Sequence, residues 1–197
     1  MELMNGLLMS MPGTPIIYYG DEIGMGDNIY LGDRNGVRTP MQWSFDRNAG
    51  FSEADGAALY SPVISDAPYS YHSVNVAAQE RQPTSLLRWT RRLLQVRQKS
   101  HAFGRGTWEP INADNRRVLV FLRRYKGDII LCVNNLSRFA QYVSLELAEF
   151  RGRIPVELWS DNAFPPIGDL PYLLTMGPHN FFWFRLSPAN EVKVQRT

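Results

Sequence analysis

The sequence predicts a mixed fold, an αβ unit with a long loop region followed by an all-β antiparallel sandwich. Three observations predict it. An apolar helical stretch runs straight into a short β-branched, aromatic run at residues 16–19. Residues 20–80 then show no sustained periodicity and are rich in Gly, Asp, Asn, Pro and Ser. From His101 onward, short strand-like runs alternate with turn residues.

Residues 1–11 read as a helix with Leu3, Leu7, Leu8 and Met11 on one face, stopped by Pro12 and Gly13. No capping residue precedes Met1, so the helix reads as the remainder of something longer. Ile16-Ile17-Tyr18-Tyr19 is apolar on both faces, the signature of a strand buried in a parallel sheet. One such unit cannot close a sheet, and its neighbours are expected outside this chain. A loop as long as 20–80 is uncommon in a compact domain unless it is functional. Residues 85–99 form the next helix, with Leu86, Trp89, Leu93, Leu94 and Val96 as its apolar stripe.

In the β-rich part, residues 118–124 and 129–134 flank Tyr125-Lys126-Gly127-Asp128, a hairpin signal. Val143, Leu145 and Leu147 alternate with polar neighbours, and residues 154–159 and 181–186 add two more strands. The boundary falls near residue 102.

Composition excludes several classes. The chain of 197 residues is 44% hydrophobic and 20% charged, ordinary for a globular protein, and its net charge of +2 implies neither a nucleic-acid nor an anionic-membrane partner. Arg91-Arg92, Arg116-Arg117 and Arg123-Arg124 are dispersed and nearly balanced by acids, which reads as solvated surface. No apolar run is long enough to cross a bilayer, and the start lacks the basic region of a signal peptide. The single cysteine, Cys132, excludes an internal disulfide framework; it is expected buried, and its isolation points to the cytoplasm. His72, His101 and His179 make no metal-ligand pattern.

Two segments carry candidate chemistry. Asp21 and Glu22 end the 16–19 run, where barrel enzymes build sites. Adjacent residues of extended chain point to opposite faces, whereas a retaining glycosidase needs carboxyls about 5–5.5 Å apart across its substrate. A role bonding to loop amides fits them better. The second segment is Arg34-Asn35-Gly36-Val37-Arg38-Thr39-Pro40-Met41-Gln42-Trp43. Arg34 and Arg38 flank an Asn-Gly turn, and their guanidinium forks suit a carboxylate or vicinal sugar hydroxyls. Trp43 offers a face for a pyranose ring. A surface loop pinned by Arg–Asp pairs, with Trp43 in the core, is an equal reading.

These segments also carry a resemblance. Pro12-Gly13-Thr14-Pro15-Ile16-Ile17-Tyr18-Tyr19-Gly20-Asp21-Glu22 resembles the surroundings of the eighth barrel strand in α-amylase superfamily enzymes, and residues 34–43 resemble a loop of its α-glucosidase-like branch. The run from Gly24 to Asp33, together with Phe164-Pro165-Pro166-Ile167-Gly168, Leu170-Pro171-Tyr172, Gly177-Pro178 and Phe182-Trp183-Phe184-Arg185-Leu186, is similar to the trehalose synthases. The resemblance implies the C-terminal βα portion of a (β/α)8 TIM barrel (residues 1–101), an antiparallel β-sandwich (102–187) and a tail (188–197). It implies interconversion of maltose and trehalose by intramolecular transglucosylation through a retaining glucosyl-enzyme, using an Asp nucleophile, a Glu acid/base and a second Asp. All three precede the first helix in that family, and the Asn-His-Asp motif of the third is absent here. No catalytic residue is therefore placed in this chain, which alone is expected to be inactive. Arg34 matches an arginine that fixes the sugar at the cleaved bond, Arg38 a second beside it; Asp33 is given no role. No metal or cofactor is expected in this segment, since the family's calcium ligands also fall upstream. A homo-oligomer and association with a maltokinase are compatible with the resemblance. Two alternatives remain: a fragment of an α-glucosidase or oligo-1,6-glucosidase, and a non-catalytic carbohydrate-binding sandwich. The latter would need exposed aromatics among Trp108, Tyr125, Tyr142, Trp159 and Trp183.

Overall fold

Alternation of apolar and polar residues builds the β-rich part, and a computed structural model describes residues 1–191. Among the described residues the strands are β1 (Thr107–Pro110), β2 (Val118–Tyr125), β3 (Asp128–Asn135), β4 (Gln141–Leu145), β5 (Arg153–Glu157), β6 (Tyr172–Met176) and β7 (Phe181–Pro188). One sheet has the order β1-β2-β3-β7-β5 and the other pairs β4 with β6, all antiparallel. Lys126 and Gly127, both at positive φ, form the two-residue turn that sets Tyr125 opposite Asp128.

Period-two positions of the large sheet, including Val120, Leu122, Leu131, Val133 and Phe184, pack with Val143, Leu145, Leu174 and Met176 of the small sheet. This is the antiparallel sandwich expected from the sequence. β1 and β6 escaped that reading, being short and weakly patterned.

The other face of the large sheet is also covered. Phe121, Ile130, Cys132 and Trp183 are fully buried there, and the Trp183 ring lies 4.6 Å from that of Phe103 in α4 (Ala102–Arg105). Arg123, on the same face, donates hydrogen bonds to the carbonyls of Ser10 (3.1 Å), Phe103 (2.8 Å) and Gly106 (3.1 Å). The expectation of a solvated Arg123-Arg124 pair is thus corrected for Arg123. Strand alternation sends it inward, and three carbonyls at the ends of helical turns receive it. Burial lowers its pKa and raises that of Cys132.

Helix α1 (Glu2–Ser10) meets this face through Leu3, Gly6, Met9 and Ser10, not through Leu7, Leu8 and Met11. The small residues let its backbone approach: a Cβ on Gly6 would lie 2.9 Å from the Phe181 ring. Arg97 of α3 (Leu86–Gln98) donates to the Met9 carbonyl at 2.9 Å. In α3 the buried positions are Leu87, Thr90, Leu93 and Val96, which shifts the expected stripe by about one position while keeping Leu93 and Val96. Met1–Pro15 and the chain from Leu93 onward thus form one compact unit, and Ile16–Arg92 a second. Packing, not chain order, draws this grouping.

Residues 16–19 depart from expectation. They are extended but not buried, with Ile16 80% exposed. No described strand pairs with them, and Tyr18 and Tyr19 keep 44% and 41% of their surface exposed. Among the candidate aromatics, Trp183 is wholly buried whereas Trp108 and Tyr142 are exposed. No helix among the described residues is long and apolar enough to cross a membrane. Of the expected tail, residues 192–197 lie outside the described residues.

Two predictions follow from the packing. Arg123→Met leaves three carbonyls without their donor and should cost about 3 kcal/mol or more, read as a lowered urea midpoint. The Tyr172 hydroxyl donates to the Pro165 carbonyl at 2.9 Å, and burial pushes its pKa up to about 12. An unfolded tyrosine ionises near pH 10, so the folded state holds this proton longer. Stability is whole below about pH 10 and falls as pH rises toward 12. An ultraviolet titration should show a late tyrosine phase that Tyr172→Phe diminishes.

Candidate functional site

The unit Ile16–Arg92 holds both segments singled out in the sequence. After residues 16–19 the chain turns at Gly20 into a 3-10 turn, Asp21–Ile23. The Tyr18 amide donates to Asp21 Oδ2 at 3.0 Å and the Gly20 amide to Glu22 Oε2 at 2.9 Å. Both carboxylates therefore serve the loop backbone, as geometry favoured.

Ile23 is buried with Met41 and Leu87, with Met25, Val74 and Val76 packed alongside. Gln79 of α2 (Val76–Arg81) stitches this small core together. Its amide donates to the Ile23 carbonyl at 2.6 Å, its Oε1 accepts from the Leu87 amide at 2.9 Å, and its own carbonyl accepts from the Ser85 hydroxyl at 2.7 Å. Buried Gln42 donates to the Tyr69 carbonyl (3.2 Å) and to that of Val74, while its carbonyl accepts from the Val76 amide at 3.0 Å. The long loop is held by side-chain amides rather than by repetitive structure, which is why periodicity misses it.

The arginines sit on and beside the 3-10 turn Asp33–Val37. This turn is cinched: the Asn28 amide donates to the Gly36 carbonyl at 3.1 Å, and a Cβ on Gly36 would stand 2.7 Å from the Asn28 carbonyl oxygen. Only glycine fits there. Arg34 and Arg38 both point to solvent, and neither makes an ion pair or side-chain hydrogen bond with another described residue. The reading of a loop pinned by Arg–Asp pairs is not what forms. Nor does Trp43 enter the core; it is 50% exposed.

Arg38 and Trp43 instead line an open groove of about 540 Å3, together with Tyr19, Glu22, Met41, Phe51 and Tyr60. Arg34 is not part of its wall. The Tyr19 hydroxyl donates to the Thr39 carbonyl at 2.9 Å. Burial, reinforced by neighbouring Tyr18, raises the Tyr19 pKa, and the Arg38 charge opposes that rise. The Thr39 hydroxyl is buried below the groove with no partner among the described residues. The groove offers aromatic faces, a guanidinium fork and a carboxylate, the mixture that binds small polar molecules with apolar faces. It has no second carboxylate to complete a retaining pair, and no group of His, Cys, Asp or Glu among the described residues could hold a metal ion. Phe51 and Tyr60 were missed in the sequence; the only signal was the density of aromatics in an aperiodic loop.

Gln79→Ala should remove the two side-chain ties, to the Ile23 carbonyl and from the Leu87 amide, and loosen this unit by about 2 kcal/mol. Hydrogen exchange should then lose protection at Met25 and Leu87, while the sandwich strands stay protected.

The catalytic-domain model of the α-amylase family matches residues 1–106, and that of the maltogenic amylase C-terminal domain matches residues 109–183. The trehalose synthase of Pimelobacter sp. is 56% identical over 190 residues, covering 94% of this chain and 33% of that protein. The trehalose synthase/amylase TreS of Mycolicibacterium smegmatis is 53% identical over 194 residues, with the same coverages. The chain thus spans about a third of the length of these relatives. The crystal structure of a mutant of the trehalulose synthase MUTB in complex with Tris superposes with a TM-score of 0.71 at 23% identity, over 93% of this chain and 38% of that one. That likeness extends to the fold.

Proposed function

Because the chain belongs to the α-amylase family, we propose that it is the C-terminal part of a trehalose synthase, interconverting maltose and trehalose by intramolecular transglucosylation. In this reading residues 1–101 end a (β/α)8 barrel, residues 102–187 are its C-terminal sandwich and 188–197 a tail. The extended, uncovered segment 16–19 is then the last barrel strand, whose neighbours belong to the rest of the polypeptide. The protein works in the cytoplasm; a homo-oligomer and contact with a maltokinase belong to the same proposal.

The observation that carries the reading is the free arginine turn at the end of that strand. A guanidinium held by a tight backbone turn and left without an acidic partner is ready for one supplied elsewhere. Arg34 is assigned to a barrel carboxylate that fixes the sugar at the cleaved bond, and Arg38 to sugar hydroxyls beside it. In this reading the three reacting carboxylates lie outside this chain, as the resemblance implies, while Asp21 and Glu22 accept from backbone amides of the loop. They act by the retaining route: an Asp attacks the anomeric carbon, a Glu protonates the leaving oxygen, and the released glucose returns to the glucosyl-enzyme. Any calcium would also be held by residues outside this chain.

The test uses the full-length polypeptide and maltose. Trehalose should form, and Arg34→Ala or Arg38→Ala should lower kcat/KM at least about tenfold, with each variant's melting temperature measured alongside to confirm that it is folded. Glucose as the sole product would favour an α-glucosidase. Wild-type turnover in both variants would remove the arginines from the site.

A further inference from the structure

We propose that Gln42 is a positioning residue: from beneath the surface it fixes the backbone that carries Arg38, and the grip of that arginine on sugar hydroxyls depends on it. The inference rests on the assignment of Arg38 made above and adds a residue that the assignment does not contain.

The first observation is how residues 38–43 divide between water and interior. Arg38 and Trp43 are exposed at the two ends, and the four residues between them are buried. Thr39 keeps 1% of its surface, Met41 6% and Gln42 none. The four form neither helix nor strand. No ladder of backbone bonds sets their place, so individual ties must do it.

The second observation is where those ties lie. The Gln42 side-chain amide donates to the carbonyls of Tyr69 (3.2 Å) and Val74. Its orientation is forced, because turned over it would set its oxygen against two carbonyl oxygens. The Gln42 and Trp43 backbone carbonyls accept from Val76 (3.0 Å) and Ala77 (2.9 Å), two amides that the first turn of α2 cannot pair within the helix. The next amide, Ala78, is capped by Asn75 Oδ1 at 2.8 Å. The Trp43 amide donates to the Ala49 carbonyl at 2.8 Å, in a turn whose Asn48 and Ala49 are left-handed (φ 53° and 59°). At the other end the Tyr19 hydroxyl donates to the Thr39 carbonyl at 2.9 Å, one residue from Arg38. Between the ends, Met41 is packed with Ile23 and Leu87. Residues 39–42 are thus a buried bar pinned at both ends. Of the four, only Gln42 makes a side-chain hydrogen bond to a described residue.

The third observation is what Arg38 lacks. Its amide donates to the Asn35 carbonyl at 3.0 Å, but its guanidinium has no ion pair or side-chain hydrogen bond with another described residue. Its place before a sugar arrives is inherited from the backbone that carries it.

The chemistry follows from geometry. A guanidinium donates in a fixed plane, so it recognises hydroxyls by direction as well as by charge. Loss of the two Gln42 donors frees one end of the bar and lets that plane wander. Hydroxyl contacts hold the sugar in the ground state as well as in the transition state, so their misalignment raises KM and spares kcat.

The experiment assays the full-length protein on maltose as Gln42→Met, Arg38→Ala and the double variant. Gln42→Met keeps the side-chain length and removes its hydrogen bonds. It should raise KM about tenfold with kcat within about twofold of wild type. Added to Arg38→Ala, it should change KM by less than about twofold, because its effect passes through that side chain. A merely structural role would lower the fraction of active molecules, reducing kcat at unchanged KM, and its effect would multiply with that of Arg38→Ala. Either result, or an unchanged KM, overturns the positioning role and leaves the trehalose synthase reading standing. If Arg38→Ala itself keeps wild-type kinetics, the assignment of Arg38 falls and the role of Gln42 falls with it. Should Gln42→Met fail to fold, Tyr19→Phe removes one hydroxyl at the other end of the bar and is judged by the same KM and the same pairing with Arg38→Ala.

Discussion

Arg123 lies out of water on the second face of the large sheet, with backbone carbonyls as acceptors. A buried charge is tolerated only when hydrogen bonding replaces its lost hydration, and here three carbonyls from two segments do so. Those segments are the end of α1 and the stretch around α4, some ninety residues apart in sequence. One side chain therefore gathers the first helix and the start of the sandwich domain onto the same sheet. It also explains why β2 and β3 are buried on both faces. Without a covered second face, Phe121, Ile130, Cys132 and Trp183 would lie in solvent.

That double burial separates what could be read from the sequence from what could not. The 118–134 hairpin was legible because a two-residue turn with glycine and the flanking β-branched runs state their pairing locally. Val143 and Leu145 were legible because one face of β4 is wet, whereas Leu147, also buried, lies beyond the strand's end before a 3-10 turn. Arg123 was not, because residue type says exposed and only a distant helix end makes burial affordable. α1 was read as helix but rotated: leucines were assumed to face the core, whereas Gly6 and Ser10 do, since close approach to the sheet favours small residues. Residues 16–19 were read as buried from their apolar character, but no described strand pairs with them and all four are exposed.

At the site, the tight turns and the arginines were legible as types. Asn35-Gly36 and the carboxylates behaved as local chemistry dictates. The groove was not, because its walls come from Tyr19, Arg38, Trp43, Phe51 and Tyr60, spaced without period and brought together by amide side chains and a left-handed turn. Such a surface is specified by individual hydrogen bonds rather than by pattern. The same property makes it a place where specificity can change without disturbing the fold.

The Lys126-Gly127 turn has a consequence for the order in which the sandwich forms. It closes a hairpin whose partners are neighbours in sequence, and such hairpins assemble in about 1–10 μs. The next pairing, Cys132 with Trp183, must close a far longer loop. β3 is thus made early and waits for β7, exposing both of its apolar faces in the meantime. During synthesis β7 also leaves the ribosome last among the strands. For that interval the hairpin is the part of the chain most in need of shielding, and the turn that makes folding fast is also what creates the interval.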